Sequence, residues 1–182
     1  DGWMPDRVTT DGLAVYAAGI AAAPVGEANL DNTPFLIFTV DSLSRRMDTD
    51  AFLPLFTEWE AVLEQGLFLL PIDENGLVYN DVQKPHSPYG FTDTIGKTGT
   101  LYMESLLYWR ACRMMEHMCK TYGVGNPDHF AEAAEAVERS LSLLFDPAAG
   151  AFYAATKDCH QYDIWGMAYM LYIGFPCSAD EK

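Results

Sequence analysis

Residues 101–115 read Leu-Tyr-Met-Glu-Ser-Leu-Leu-Tyr-Trp-Arg-Ala-Cys-Arg-Met-Met. Apolar and aromatic side chains occupy almost every position, so a helix over this stretch would have no wide polar face. Such a helix is expected to be buried on all sides. Residues 35–43 and 164–173 have the same character. The sequence therefore predicts three inner helices that are shielded from water.

Two other stretches have one apolar face and one charged face. Residues 52–65 repeat apolar side chains at helical spacing, with glutamates between them, and residues 130–144 do the same. This pattern is typical of helices that lie on a core and face solvent on the other side. The predicted order along the chain is inner, outer, inner, outer, inner helix.

Two proline positions suggest where helices begin. Thr33 before Pro34 is expected to cap the first inner helix, and Asn126 before Pro127 is expected to cap the second outer helix. A proline in the first helical position loses nothing, because its missing N–H would have no partner there.

A repeated phrase follows each outer helix. Residues 73–79 read Asp-Glu-Asn-Gly-Leu-Val-Tyr and residues 146–153 read Asp-Pro-Ala-Ala-Gly-Ala-Phe-Tyr, so the two phrases begin about 73 residues apart. Each phrase predicts a turn followed by a short extended segment. A repeat with one inner helix, one outer helix and a long return loop indicates a toroid of helical hairpins. We expect an all-α fold with short β segments in its loops, and one domain over residues 1–182.

Composition narrows the possible partners. Eleven Lys and Arg face 26 Asp and Glu, a formal net charge of −15, which argues against nucleic acid and anionic membranes as partners. The same charge favours a neutral ligand. No stretch reaches the ~20 apolar residues of a membrane span. A cytoplasmic location is the expectation, with secretion left open.

The four cysteines form neither a disulfide framework nor a metal signature. Cys112 and Cys119 lie roughly 10 Å apart on one predicted helix, too far for a bridge. A bond between Cys159 and Cys177 stays open at this stage. Neither a metal nor another cofactor is expected.

Long loops precede the inner helices, and these loops are expected to meet at one end of the molecule. They combine aromatic, amide and charged side chains, a mixture that suits a sugar with apolar ring faces and many hydroxyls. Glu104 lies within the apolar second inner helix and must find a partner or face a central cavity. The candidate substrate-binding residues are Trp3, Asp6, Arg7, Asp31, Asn32, Phe91, Lys97, His160, Gln161, Asp163 and Trp165.

Three motifs resemble the six-hairpin glycosidases, the (α/α)6-barrel group with glucoamylase-like, trehalase-like and amylo-α-1,6-glucosidase-like enzymes. They are residues 31–36 (Asp-Asn-Thr-Pro-Phe-Leu), residues 91–97 (Phe-Thr-Asp-Thr-Ile-Gly-Lys) and residues 163–169 (Asp-Ile-Trp-Gly-Met-Ala-Tyr). The resemblance implies about half of such a barrel. It also implies that paired carboxylates hydrolyse an α-linked glucoside or oligosaccharide. Asp93 is then the candidate general acid, and no residue stands out as the base.

Other interpretations remain open from the sequence. Asp93 could simply begin the following helix. The chain could bind carbohydrate without cleaving it, as a pseudoenzyme that lacks the base, or it could be a helical scaffold for protein contacts. If it is half of a barrel, an apolar face should be exposed where further hairpins of the same protein, or a second copy, would dock.

Overall fold

The computed structural model describes residues 2–20, 23–88 and 96–178. The predicted helices are confirmed in their order along the chain. They are α1 (Asn32–Ser44), α2 (Thr49–Phe68), α3 (Tyr102–Tyr122), α4 (Pro127–Ser140) and α5 (Ile164–Ile173), with a 3-10 turn after α4 at Leu141–Leu144. None of the helices in the described ranges is both long and apolar enough to cross a membrane.

Helix α3 lies at the centre of the core and packs against α1, α2, α4 and α5. Every residue from Tyr102 to Trp109 is buried, and so are Ala111, Cys112, Met115, Met118 and Cys119, whereas the charged residues of the second half are partly or fully exposed. The prediction from residues 101–115 is therefore confirmed. The core extends from α3 to the apolar faces of the outer helices, including Phe52 and Phe56 of α2 and Phe130 of α4.

The other two helices predicted to be inner are not buried all round, so that prediction is wrong for α1 and α5. On α5, Trp165 and Tyr172 are each 78% exposed, and on α1 Phe35 is 43% exposed. The physical reason is that an apolar helix face is buried only where a neighbour covers it. Helix α5 packs against α3 and one short strand, and no further helix of the described residues covers its other side.

The three helices α1, α3 and α5 run side by side in the same direction. Arg110 of α3 places its guanidinium 4.8 Å from the ring centroid of Phe38 in α1 and 5.7 Å from that of Tyr169 in α5. Arg110 Nη1 also donates a hydrogen bond of 3.0 Å to the Tyr169 hydroxyl. The starts also meet: Lys97 lies between Glu104 in the first turn of α3 and Asp163 at the α5 N-cap, and the charge of Asp31 at the α1 N-cap acts on Glu104, so the three starts are at one end.

The helix caps agree with the sequence in one case and differ in the other. Asn126 caps α4 as predicted, and its Oδ1 accepts a hydrogen bond of 3.2 Å from the Asp128 amide. Helix α1 instead begins one residue before Thr33, with Asp31 at the N-cap position. The prediction that Thr33 is the cap is thus wrong, because Thr33 is already helical and buried and Pro34 is the third helical residue.

Short antiparallel strand pairs complete the fold. Strands β1 (Arg7–Val8) and β2 (Ala14–Val15) pair, as do β3 (Ala17–Ile20) and β4 (Ala23–Ala28). Strand β5 (Tyr79–Asn80) pairs with β6 (Gly99–Thr100), and β7 (Phe145–Asp146) pairs with β8 (Ala151–Phe152). The chain is therefore helical with small sheets. The two hairpins before α1 were not predicted from the sequence.

Both repeated phrases form the turns that the sequence predicts. In the first, Asp73 Oδ1 accepts hydrogen bonds from the amides of Asn75 and Leu77 at 2.9 and 3.0 Å. In the second, Asp146 Oδ1 accepts one from the Ala148 amide at 2.9 Å. A side-chain carboxylate that bonds to amides two or more residues later is the usual signature of such turns.

All four cysteines are free thiols, which answers the question left open for Cys159 and Cys177. Cys112 and Cys119 are buried within α3. Their burial raises the pKa of both thiols above the ordinary range, to about 12 for Cys119, so neither is an activated nucleophile.

Candidate functional site

Four charged residues from the starts of α1, α3 and α5 lie together at one end of the molecule. Lys97 Nζ is 3.9 Å from Glu104 Oε1 and 3.9 Å from Asp163 Oδ2. The charges of Asp31 and Asp163 both act on Glu104. We call Asp31, Lys97, Glu104 and Asp163 the helix-start cluster. The expectation that the loops before these helices meet is supported at these four positions.

The helix-start cluster is almost completely shielded from water. Glu104 is 2% exposed, Asp163 is 8% exposed, and Asp31 and Lys97 fall between these values. One ammonium group thus lies among three carboxyl groups in a region of low polarity. Charges this deeply buried are costly unless they are paired or neutralised by a proton.

Glu104 is the member of the cluster whose protonation is affected most clearly by burial. Its burial raises the pKa of its carboxyl from 4.5 to about 7. The charge of Lys97 and the residue's own main-chain amide lower that pKa, while the charges of Asp163 and Asp31 raise it. Apart from these influences, neither Glu104 oxygen has a hydrogen-bond partner. A substantial share of Glu104 is therefore a neutral carboxylic acid near pH 7.

Asp163 has a clear structural role through one oxygen only. It is the N-cap of α5, and its Oδ1 accepts a hydrogen bond of 2.8 Å from the Gly166 amide. Its other oxygen, Oδ2, is buried without a hydrogen-bond partner and points towards Lys97. Cys159 lies close by, and burial, the largest of several influences, raises the pKa of its thiol.

A second group of polar residues surrounds the start of α1. Asn29 Nδ2 donates a hydrogen bond of 2.9 Å to Asp6 Oδ1 and a longer one of 3.4 Å to Asn32 Oδ1. Asp6 also forms an ion pair of 2.5 Å with the exposed Arg7. The Asn29 Oδ1 and Asn32 Nδ2 atoms are buried and have no hydrogen-bond partner within residues 2–20, 23–88 and 96–178. An unpaired acceptor and an unpaired donor therefore lie at the start of α1.

Asn80 fixes the position of Lys97 and was missed by the sequence analysis. Its Nδ2 donates hydrogen bonds to the main-chain oxygens of Lys97 at 2.7 Å and His86 at 3.0 Å, and its Oδ1 accepts one from the His86 amide at 2.7 Å. Asn80 is fully buried. The available signal was an amide side chain directly after the apolar residues 77–79, a position where a buried polar group must have partners.

His86 is a further residue that the sequence did not single out. Its ring stacks on Trp3 with 4.9 Å between the ring centroids, and its Nδ1 is 2.7 Å from the Ala28 main-chain oxygen. Trp3, a candidate for sugar stacking, thus has one ring face covered by His86. Its position is close to the loop that Asn80 anchors.

The remaining candidates occupy separate positions. His160 stacks on Tyr153 with 3.9 Å between the centroids, and its Nδ1 is 2.9 Å from the Ala155 oxygen. The Gln161 side chain is exposed, and Trp165 projects from α5 into solvent. Phe91 and Asp93 lie outside the described residues. The structure therefore joins Asp31, Lys97 and Asp163 with Glu104, and it joins Asp6 and Asn32 through Asn29.

Comparison with known proteins bears on the fold. No family model and no curated protein matches the sequence. The structure does match a GH78 family rhamnosidase of Bacillus sp. GL1, with a TM-score of 0.65 and 15% sequence identity. This chain has a glycoside hydrolase-like fold. The match covers 85% of the chain but only 16% of the rhamnosidase, so the chain corresponds to a small part of that protein.

Proposed function

We propose that this chain is part of a glycoside hydrolase of the six-hairpin type. In this proposal α1–α5 supply about half of a helical toroid, and the helix-start cluster lies beside its carbohydrate site. The observation that carries the proposal is the meeting of Asp31, Lys97, Glu104 and Asp163 at the starts of three parallel helices. The likeness to part of a rhamnosidase supports the same fold.

The chemistry of the cluster suits glycoside hydrolysis. Cleavage of a glycosidic bond by paired carboxylates needs one group that donates a proton and one that stays ionised. Sites with both roles usually hold carboxyl groups in environments that separate their protonation states. Asp93 is the proposed general acid, because it lies only four residues before Lys97 in the chain. The partner carboxylate is not assigned.

The substrate in this proposal is a neutral glycoside or oligosaccharide. The net charge of −15 would repel an anionic substrate at long range. Unpaired buried groups such as Asn29 Oδ1 and Asn32 Nδ2 are suited to hydroxyl groups, which both donate and accept hydrogen bonds. An α-linked glucoside follows from the motif resemblance, and a rhamnoside follows from the structural likeness, so both classes belong in the test.

The proposal is tested by titrating the protein with L-rhamnose, maltose, trehalose and kojibiose and following saturation transfer by NMR. We expect binding of at least one sugar. Lys97→Met should weaken that binding at least tenfold, whereas Lys84→Met, which changes an exposed lysine in the loop after Asn80, should leave it unchanged. Circular dichroism of both variants shows whether they are folded.

Failure of all four sugars to bind, or equal weakening by both lysine variants, would contradict the proposal and favour a helical scaffold. Where a sugar does bind, turnover of the matching chromogenic glycosides separates an enzyme from a non-catalytic carbohydrate-binding form. If turnover is found, Asp93→Asn should abolish it and spare binding. An unchanged rate in that variant removes Asp93 from the mechanism.

A further inference from the structure

If every group is ionised, one positive charge lies between two negative charges in the unit formed by Lys97, Glu104 and Asp163. One ammonium nitrogen lies 3.9 Å from an oxygen of each carboxyl group, and all three side chains are more than nine-tenths buried. Both distances exceed a direct hydrogen bond, so neither carboxylate is neutralised by close contact. Two buried negative charges with one cation leave a surplus that a bound proton would remove.

The contacts decide which carboxyl group is better suited to hold the proton. Asp163 Oδ1 accepts a hydrogen bond from the Gly166 amide at the positive end of the α5 dipole, an arrangement that favours the ionised form. Neither Glu104 oxygen accepts a hydrogen bond from another of the residues that the structure describes. Ionised Glu104 would therefore lose its hydration without replacement.

The other titratable groups near Glu104 act on its carboxyl group in both directions. Asp31, from the start of α1, adds a further negative charge that disfavours ionised Glu104. Cys159, from the loop before α5, is close enough for its thiol to respond to Lys97, Asp163 and Glu104. Lys97 is the one group among those acting on Glu104 whose charge favours the carboxylate.

We propose that Lys97, Glu104 and Asp163 act as one proton-sharing unit, in which Glu104 is a neutral carboxylic acid at and slightly below neutral pH. In this state the Glu104 hydroxyl is a hydrogen-bond donor in the same buried group as Asp163 Oδ2, which accepts no hydrogen bond from the described residues, and Lys97 Nζ joins the two carboxyl groups at 3.9 Å from each. The unit then links the first turn of α3 to the N-cap of α5. Glu104 is thus a positioning residue for the helix starts.

The protonation state of this unit is independent of any substrate, whereas its role in holding a carbohydrate site rests on the proposed function. Ionisation of Glu104 above neutral pH would leave one uncompensated negative charge among Lys97, Glu104 and Asp163. The Lys97 ammonium would then be shared between two carboxylates. We therefore expect sugar binding at this end of the molecule to weaken as Glu104 loses its proton.

The test is a pH titration of protein labelled with carbon-13 at the glutamate side-chain carboxyl, followed by NMR. We expect the Glu104 signal to titrate near pH 7. The signal near pH 7 should be missing from Glu104→Gln. It should remain in the matched control Glu132→Gln, which changes an exposed glutamate on α4.

A second variant tests the sharing of charge and does not require Glu104 to be replaced. Lys97→Met removes the favourable charge, so the midpoint of the Glu104 signal should move to higher pH. A Glu104 midpoint near 4.5, a signal near pH 7 that persists in Glu104→Gln, or no upward movement in Lys97→Met would each overturn the proposal. None of these readings needs a sugar, so failure of the proposed function is a separate result.

Discussion

Replacement of Glu104 by glutamine should remove a specific pH dependence from the stability of the protein. Folding raises the pKa of the Glu104 carboxyl from 4.5 to about 7. Each pKa unit corresponds to ~1.4 kcal/mol, so the difference is equivalent to about 3 kcal/mol as an upper limit. Between these two pH values the folded protein binds more protons at this site than the unfolded chain.

The sign follows from that proton balance. The contribution of protonated Glu104 to stability is fully present below pH 4.5 and is lost as the pH rises through about 7. The free energy of unfolding of the wild type should therefore fall by up to about 3 kcal/mol relative to Glu104→Gln over this range. Glutamine keeps the shape and hydrogen-bonding capacity of the neutral acid without a titratable proton.

The measurement is urea unfolding of the wild type and Glu104→Gln at intervals from pH 4.5 to 8.5. The difference between the two proteins isolates Glu104, because the other titrating groups are common to both. Glu132→Gln on the solvent face of α4 should follow the wild type at every pH. A difference between wild type and Glu104→Gln that stays constant across this range would refute the reasoning.

Three further predictions concern other parts of the structure. Asn80→Ala should lower the free energy of unfolding by about 2–4 kcal/mol, because it leaves the main-chain groups of His86 and Lys97 without these partners. Urea unfolding measures this loss. The control Asn75→Ala, at an exposed position, should lower the free energy of unfolding by under ~1 kcal/mol. Asp163→Ala should cost more than the ~1 kcal/mol of the α5 cap, because it also removes the charge that faces buried Lys97. Asp163→Asn loses that charge but keeps the cap, so it should cost about 1 kcal/mol less than Asp163→Ala; equal losses would argue against the cap. The exposed apolar face of α5 predicts that the protein self-associates, and that light scattering shows more association at higher protein concentration. The double variant Trp165→Gln and Tyr172→Gln should associate less. A wild-type protein that stays monomeric would contradict this prediction.

The helices of this fold were readable from sequence because each has a long and consistent apolar pattern. Residues 101–115 predicted the central helix correctly, since α3 meets neighbours on every side. The same reasoning failed for α5, whose apolar pattern resembles that of α3. The apolar pattern of a sequence shows which side chains are apolar, but it does not show whether a neighbouring element covers them.

The strands before α1 were harder to predict for a local reason. Residues 17–28 consist largely of alanine, glycine and proline, so they lack the alternating large side chains that mark a strand. Their pairing depends on main-chain hydrogen bonds and on contact with the rest of the molecule. One such contact is the hydrogen bond from the Glu27 amide to the Pro85 oxygen.

The site was predicted in part. Asp31, Lys97 and Asp163 were found because polar residues just before apolar helices must lie at helix starts. Glu104 was noticed as a charge within an apolar helix, but its environment depends on the distance to Lys97 in the folded chain. The contacts of Asn80 and Asn29 could not be assigned. Asn80 binds the main chain of residues 86 and 97, and Asn29 binds the side chains of Asp6 and Asn32, and neither contact has a recognisable spacing in the sequence.

The Asn80 side-chain amide donates hydrogen bonds to the main-chain oxygens of residues 86 and 97, so one side chain fixes both ends of the segment between them. The position of Lys97 then depends on these two hydrogen bonds and not on which residues lie between them. Insertions or deletions between residues 86 and 97 that keep Asp93 and both hydrogen bonds should therefore leave the lysine at the same point of the fold.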